Sequence, residues 1–95
     1  MPDAVTVTRN EASHRFEIAT EAGVALLNYK LAPGVMTVLH TEVPAALEGR
    51  GLASSLARAA LDHARANGLR VVPTCPFVRK YMERHPEYQA LRAPS

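Results

Sequence analysis

Hydrophobic and polar residues alternate along the first half of the chain, which is the pattern of half-buried strands. Turn residues such as Glu21-Ala22-Gly23 and Ala32-Pro33-Gly34 interrupt the alternation at short intervals. The predicted strands cover residues 4–9, 14–20, Val24 to Leu31 and Val35 to Val43. Because the connections are short, consecutive strands are expected to pair as an antiparallel meander.

The second half of the chain changes to a helical period. Leu52, Leu56, Ala60 and His63 recur at helical spacing, and Asn67-Gly68 is a typical helix stop. Further elements are a short buried strand at Leu69 to Thr74, a second helix from Pro76 to His85-Pro86, and a loose tail at 89–95. The predicted fold class is therefore α/β (α+β): a four-stranded meander, then helix, parallel strand and helix, in one domain spanning 1–95.

Composition narrows the function classes. With 95 residues, 47% hydrophobic and 21% charged, the chain is expected to fold as one domain, as a monomer or small homo-oligomer. No apolar run approaches the roughly 20 residues of a membrane span, and Met1-Pro2-Asp3 does not open a signal segment. A cytoplasmic protein without a membrane partner is expected. The net charge is +2, but basic residues are scattered and aromatic residues few, so nucleic acid is not a favoured partner.

A metal site is not expected either. Cys75 is the single cysteine, and the four histidines lie far apart without paired-ligand spacing: His14, His40, His63 and His85. Neither a disulfide nor a cysteine-rich zinc site can be built from one cysteine.

A glycine-rich loop, Glu48-Gly49-Arg50-Gly51, runs directly into the first predicted helix. The free N–H groups and dipole of a helix N-terminus attract phosphate, although glycines alone are equally consistent with a simple turn. A P-loop is excluded, because Gly-Lys-Ser/Thr is missing. The dinucleotide fingerprint needs an acidic residue about 20 positions on, and none occurs from His63 to Met82.

Four motifs resemble a known family. They are His40-Thr41-Glu42-Val43-Pro44, Gly49-Arg50-Gly51-Leu52-Ala53-Ser54-Ser55-Leu56, Cys75-Pro76-Phe77-Val78 and Tyr81. In this order they resemble the small, single-domain N-acetyltransferases of the GNAT superfamily. Gly51 and Ala53 match fixed positions of the pyrophosphate loop of that superfamily, whereas Glu48 stands where Gln or Arg is usual. This departure puts a side-chain contact to the pyrophosphate in doubt and leaves the backbone contacts unaffected.

The resemblance implies acetyl-CoA as cofactor. It places the pantetheine amides against backbone groups of Leu39, Thr41 and Val43. The pyrophosphate would meet the glycine-rich loop and the helix start, which comprise Gly49, Gly51, Leu52, Ala53 and Ser54. Arg50 could also contact the pyrophosphate, and Arg79 and Lys80 the adenosine phosphate, with solvated surface charge as the alternative for each of these basic residues.

The resemblance also suggests catalytic groups. Tyr81 matches the position of a tyrosine that protonates the leaving thiolate, while packing beside Phe77 four residues earlier is the structural alternative. His40 and Glu42 share one face of a strand and could deprotonate the amine, directly or through water, or serve structural hydrogen bonds.

Cys75 precedes the predicted second helix. A thiol at a helix N-terminus ionises more readily, so Cys75 is a candidate for a reactive thiolate near the thioester; a lone cysteine is otherwise commonly a small buried hydrophobe. Direct transfer is expected to survive its removal.

Three functions remain open at this stage. The first is transfer of acetyl from acetyl-CoA to an unidentified amine, small molecule or protein, by direct attack. The second is a non-catalytic acyl-CoA-binding module, and the third is a basic nucleic-acid or protein interaction domain. CoA binding separates the third from the first two, and turnover separates the first from the second.

Overall fold

A computed structural model describes residues 6–93 of the chain. Within that range one mixed sheet has the strand order β1-β2-β3-β4-β5, with antiparallel pairing from β1 to β4 and parallel pairing of β4 with β5. The strands are β1 (Thr8–Asn10), β2 (Arg15–Thr20), β3 (Gly23–Ala32), β4 (Val35–Glu42) and β5 (Arg70–Pro73). The helices are α1 (Leu52–Ala66) and α2 (Pro76–Arg84), with 3-10 turns at Ala45–Leu47 and Pro86–Leu91. The predicted order of elements is confirmed.

The hydrophobic core lies between one face of the sheet and the helices. Ala25, Leu27 and Tyr29 of β3 are buried, whereas the alternate residues Leu26 and Asn28 are only half-buried. Facing the sheet, α1 contributes an apolar stripe of Leu52, Leu56, Ala57, Ala60, Leu61 and Ala64. Full burial of a leucine side chain stabilises the fold by about 1.5–3 kcal/mol, so this stripe fixes α1 on the sheet. Within residues 6–93 no helix covers the opposite face of the sheet, which we call the open face.

Two segments differ from the sequence prediction. The first strand begins at Thr8, because Val7 packs half-buried against the core instead of pairing; residues 4 and 5 of the predicted strand lie outside the described residues. The described part of the expected loose tail is ordered. Ala93 N–H donates to the Val71 carbonyl at 2.8 Å, and the Arg70 guanidinium donates to the Ala90 carbonyl at 3.0 Å. This pairing covers the outer edge of β5, whose backbone groups would otherwise lack partners.

An irregularity in β4 decides which side chains meet at the end of this strand. Asn28 lies opposite His40, but Tyr29 lies opposite Val38, so Leu39 is the extra residue of a β-bulge. Beyond the bulge, Thr41 pairs with Leu27 and shares its helix-covered face. His40 and Glu42 therefore lie on the open face.

The pairing of β4 with β5 ends at Val38 and Pro73. Proline has no N–H group to donate, and the Val38 carbonyl instead accepts bonds from Cys75 N–H at 3.2 Å and the Thr74 hydroxyl at 2.6 Å. The chain then turns into α2, while β4 continues from Leu39 to Glu42. Among the described residues no strand pairs with this extension on the side of β5. We call the resulting gap the β4–β5 opening.

A polar contact fastens the C-terminal 3-10 turn to α1. The buried Tyr88 hydroxyl donates to Asp62 Oδ1 at 2.7 Å, and Arg65 lies over the Tyr88 ring at 5.1 Å from its centre. Burial, reinforced by the Asp62 carboxylate, raises the pKa of Tyr88 to about 12.

Tyr88→Phe is expected to lower the free energy of unfolding by about 1–2 kcal/mol, because it removes a hydrogen bond to a carboxylate. Urea unfolding near neutral pH measures the change. A pKa raised in the folded state contributes stability below the unfolded pKa of about 10, and this contribution is lost as the pH rises toward about 12. The difference between the two proteins should therefore shrink above pH 10. Equal stability at neutral pH would contradict the role given to this contact.

Candidate active site

The start of α1 presents backbone N–H groups that no side chain caps. Gly51, directly before the helix, has φ +81°, and Gly49 has φ +86°; both values lie in the left-handed region that favours glycine. No side chain caps the helix and no acidic residue occupies its first turn. The first helical bond runs from Ser55 N–H to the Gly51 carbonyl at 3.0 Å. The N–H groups of residues 52–54 consequently have no partner within the helix and are available to an anion.

A groove of about 280 Å³ lies in front of these donors. It joins the start of α1 to the residue that follows β4 and to the first turn of α2. Six of its residues were predicted from the sequence to bind the cofactor: Val43, Gly49, Gly51, Leu52, Ala53 and Ser54. A Cβ atom built on either glycine would meet no other atom within 4 Å, so the space before the helix is free for a ligand.

Three further residues line the same groove and were not predicted as site residues: Leu47, Glu48 and Phe77. Phe77 is 39% exposed although it is large and apolar. Leu47 reaches the groove because the 3-10 turn after Pro44 folds back, with Leu47 N–H bonded to the Pro44 carbonyl at 2.8 Å. The only sequence signal for Phe77 was its place directly after Cys75-Pro76.

The basic residues that were predicted to contact the phosphates do not line this groove. Arg50 lines a neighbouring, larger groove along α1 together with Ser55 and Arg58, and not the groove before the helix. Arg79 and Lys80 are exposed on α2, and the Arg79 guanidinium donates to the Thr74 carbonyl at 3.4 Å. Neither of these α2 residues lines either groove.

Cys75 and Thr41 meet at the β4–β5 opening. The thiol is 5% exposed, and its sulfur lies 3.4 Å from Thr41 Oγ1 on the helix-covered side of β4. Leu39, the bulge residue, is 45% exposed at the same end of the strand. The structure thus brings Leu39, Thr41 and Cys75, three predicted site residues, to the end of the strand pair.

His40 and Glu42 are brought together on the open face. His40 Nε2 lies 2.7 Å from Glu42 Oε2, and the two side chains are 57% and 61% exposed. The prediction that both point to one side of the strand is confirmed by this contact. Their roles in proton transfer stay a prediction.

Tyr81 belongs to an aromatic stripe on α2. It is 9% exposed, and its ring centre lies 4.1 Å from that of His85 and 6.5 Å from that of Phe77. The packing against Phe77 that the spacing allowed is therefore present. Tyr81 lies one helical turn beyond Phe77 and does not itself line the groove, so its role in proton transfer stays a prediction.

Across residues 6–93 no three His, Cys, Asp or Glu side chains are close enough to hold a metal ion. In the same range no helix has the length and apolar character needed to cross a membrane.

Comparison with known proteins gives a consistent assignment. A family model described as GCN5-related N-acetyl-transferase matches residues 15–91. Protein NATD1 of Mus musculus is 36% identical over 83 residues, covering 87% of this chain and 74% of that protein. Protein NATD1 of Homo sapiens is 35% identical over 83 residues, with 87% and 73% covered.

The fold has a counterpart among solved structures. The NMR solution structure of a GCN5-like protein from Staphylococcus aureus superposes with a TM-score of 0.75 at 26% identity, covering 96% of this chain and 90% of that one. The family match includes the glycine-rich helix start, the strand β4 and both helices. On these grounds the chain belongs to the GCN5-related family of N-acetyltransferases, whose reaction is acetyl transfer.

Proposed function

We propose that the protein transfers acetyl from acetyl-CoA to the nitrogen of an amine by direct attack. The observation that carries the proposal is the groove at the uncapped start of α1, which is also lined by Val43, directly after β4, and by Phe77, in the first turn of α2. In the reaction, a C–N bond forms as the thioester C–S bond breaks. The amine loses one proton and the sulfur gains one, so the products are an amide and free CoA.

The residues of the groove fit the cofactor chemically. The N–H groups of Leu52, Ala53 and Ser54 bind the diphosphate, aided by the positive end of the helix dipole. Glycine at positions 49 and 51 leaves room for phosphate oxygens to approach the backbone. Glu48 also lines this groove, and its carboxylate would oppose an anion. Backbone N–H groups therefore supply the favourable contacts, and the Glu48 side chain is expected to turn aside.

The extension of β4 supplies the second set of contacts. Beyond Val38 the chain of β4 has no strand partner on the side of β5, and Leu39, Thr41 and the following Val43 belong to this part of the chain. An extended chain bearing amides can add to such an edge as an extra strand would. When bound, acetyl-CoA supplies an activated acetyl group, and the strand edge directs that group toward the β4–β5 opening.

Two groups of this chain are assigned to the proton transfers. His40, held by Glu42, takes the proton from the attacking amine, and the Tyr81 hydroxyl donates to the departing sulfur. Thr41 lies between the two members of the His40–Glu42 pair in sequence but on the opposite face. The base and the cofactor groove therefore lie on opposite sides of the same strand.

Gly51→Glu is expected to abolish the rise in melting temperature that CoA produces, because a carboxylate at the helix start repels the diphosphate. Gly34→Glu is the matched control: Gly34 also has positive φ, +74°, with open space at its Cβ, but it lies in the β3–β4 turn. Both substitutions introduce backbone strain of about 1–2 kcal/mol. Only the variant at position 51 should lose the response to CoA, and a response retained by both would remove the loop from the site.

Tyr81→Phe is expected to lower kcat roughly 100-fold, the scale of general acid catalysis, with little change in CoA affinity. Tyr29→Phe serves as a control, since it deletes a buried hydroxyl on β3 outside the groove. Steady-state kinetics and CoA titration separate the two quantities. If both variants turn over like the wild type, Tyr81 has only its packing role.

Cys75→Ala tests the alternative of a covalent acetyl-enzyme. Direct transfer predicts that most turnover survives, whereas an obligatory thioester on Cys75 predicts that nearly all of it is lost. Mass spectrometry of the intact protein after mixing with acetyl-CoA provides the second measurement. A stable gain of one acetyl group that disappears in Cys75→Ala, together with loss of turnover, would replace direct attack by a two-step transfer.

An acyl-CoA-binding module without catalysis is the second candidate function. It is favoured by the short turn of residues 11–14 between β1 and β2, which adds no wall around an acceptor. Native mass spectrometry that detects bound CoA, combined with the absence of turnover over a panel of amines, would establish this function in place of the first.

A further inference from the structure

The larger of the two grooves runs along one side of α1 and is not used by the proposed reaction. Its volume is about 1160 Å³. Residues of α1 from Leu52 to Asp62 line it, together with Thr20 to Ala22 at the end of β2 and in the β2–β3 turn. We call it the α1 side groove. Leu47 and Leu52 line both this groove and the cofactor groove, and its other lining residues belong to it alone.

The dimensions of the α1 side groove are those of a short helix. From Leu52 to Asp62 the helix rises by about 15 Å, so the groove is at least that long. Divided by this length, the volume gives a mean cross-section of about 80 Å², the area of a circle about 10 Å across. An α-helix with its side chains is about 10–12 Å in diameter, whereas neighbouring extended chains lie only about 5 Å apart. A helical segment of about ten residues therefore matches both dimensions.

Apolar side chains from different elements line the α1 side groove. Val7, Leu47 and Ala59 are half-buried, and each packs against the core on one side and borders the groove on the other. Leu52 lies beside them and is 9% exposed. An incoming helix with apolar residues at helical spacing would cover these four side chains. The groove thus fits an amphipathic helix.

The charged side chains of the groove narrow the choice of partner. Arg50 and Arg58 line it from α1 and the loop before this helix, and both are exposed. Glu21 lines it from a different element, the β2–β3 turn. Within residues 6–93 none of these three side chains forms an ion pair. The complementary helix has acidic residues on one flank of its apolar face and basic residues on the other.

The two ends of the groove favour one orientation of such a helix. Arg50 lies directly before the start of α1, where the helix dipole adds positive charge. Asp62 lines the groove toward the end of α1, and its carboxylate also accepts bonds from Tyr88 and Arg65. The negative C-terminal end of an incoming helix is stabilised near Arg50, and its positive N-terminal end near Asp62. The incoming helix is therefore antiparallel to α1.

We infer that the α1 side groove is the docking site of a partner protein, which inserts an amphipathic helix of about three turns antiparallel to α1. Acidic side chains of this helix meet Arg50 and Arg58, and a basic side chain meets Glu21. An interface of this size lies below the roughly 1,200 Å² of stable complexes, so the association is transient. The inference goes beyond the proposed acetyl transfer and does not depend on it.

The first test is binding of a designed peptide of about three helical turns with blocked ends. It carries leucines on one face, glutamates on the flank that meets α1 and lysines on the other flank. In ¹H–¹⁵N NMR spectra of the wild type it is expected to shift the amide signals of Ala22, Ser55 and Ala59. A control peptide has the same composition, with the leucines distributed around the helix. Absence of shifts at these residues, or equal responses to both peptides, would overturn the inference.

The second test exchanges charges across the interface. Arg58→Glu is expected to weaken binding of the designed peptide roughly tenfold, because it replaces an attraction by a like-charge repulsion. A peptide with lysines in place of its glutamates should bind this variant better than it binds the wild type. Arg84→Glu is the matched control, since Arg84 is an exposed arginine on α2 that lines neither groove. Equal affinities in the wild type and Arg58→Glu would contradict the docking site.

The orientation is tested with a nitroxide label on the peptide. A label at its C-terminus is expected to broaden the amide signals of Gly49 and Arg50, and a label at its N-terminus those of Asp62 and His63. The reverse pattern would overturn the antiparallel arrangement.

The same spectra distinguish other occupants of the groove. Inorganic phosphate that shifts Ser55 and Arg58 at the concentrations at which the peptide does so would make the groove a site for small anions, against the inference. A dimer in size-exclusion chromatography that Arg58→Glu dissociates would assign it to a second copy of the chain. Both variants should keep the rise in melting temperature with CoA. A wild type that responds to CoA but binds no peptide overturns only the docking site, and one that binds the peptide without responding to CoA overturns only the proposed function.

Discussion

The end of pairing between β4 and β5 is the constraint on which the candidate site depends. Pro73 has no N–H group for a further ladder bond, and Cys75 N–H takes the Val38 carbonyl as the chain turns into α2. One strand stops while its neighbour continues, which leaves a backbone edge next to a helix start. If β5 were longer and fully paired, its ladder would occupy the edge that the cofactor is proposed to use.

The bulge at Leu39 adds a second consequence. Without an extra residue, the side chains beyond it would be exchanged between the two faces, because a shift of one residue reverses the orientation of every following side chain. His40 and Glu42 would then point into the helix-covered core, where these two polar side chains would be shielded from water. The bulge therefore sets both the contact of Thr41 with Cys75 and the solvent access of the His40–Glu42 pair.

Much of this architecture follows from local sequence patterns. Alternation predicted β2 to β4, helical spacing predicted α1, and the glycines before Leu52 predicted an open helix start. The ordered tail could not be predicted in this way, since the bond between Ala93 and Val71 joins residues far apart in sequence and neither segment has a pattern that specifies the other. The same reason applies to Phe77, which reaches the groove only because α2 packs beside α1. Arg50 is the reverse case: its position in the glycine-rich loop predicted a place in the groove before the helix, but in the structure it lines the neighbouring groove.

The alternation of side chains along β4 bears on which positions of this strand can change in sequence. Leu39, Thr41 and Val43 are proposed to contact the acetyl donor through backbone atoms, and almost any side chain is compatible with that contribution. The side chains of His40 and Glu42 lie on the open face, so substitutions there can change that surface without altering the strand edge. A short chain of this kind can therefore vary in sequence at alternate positions of a single strand, while the backbone edge that is proposed to bind the acetyl donor stays the same.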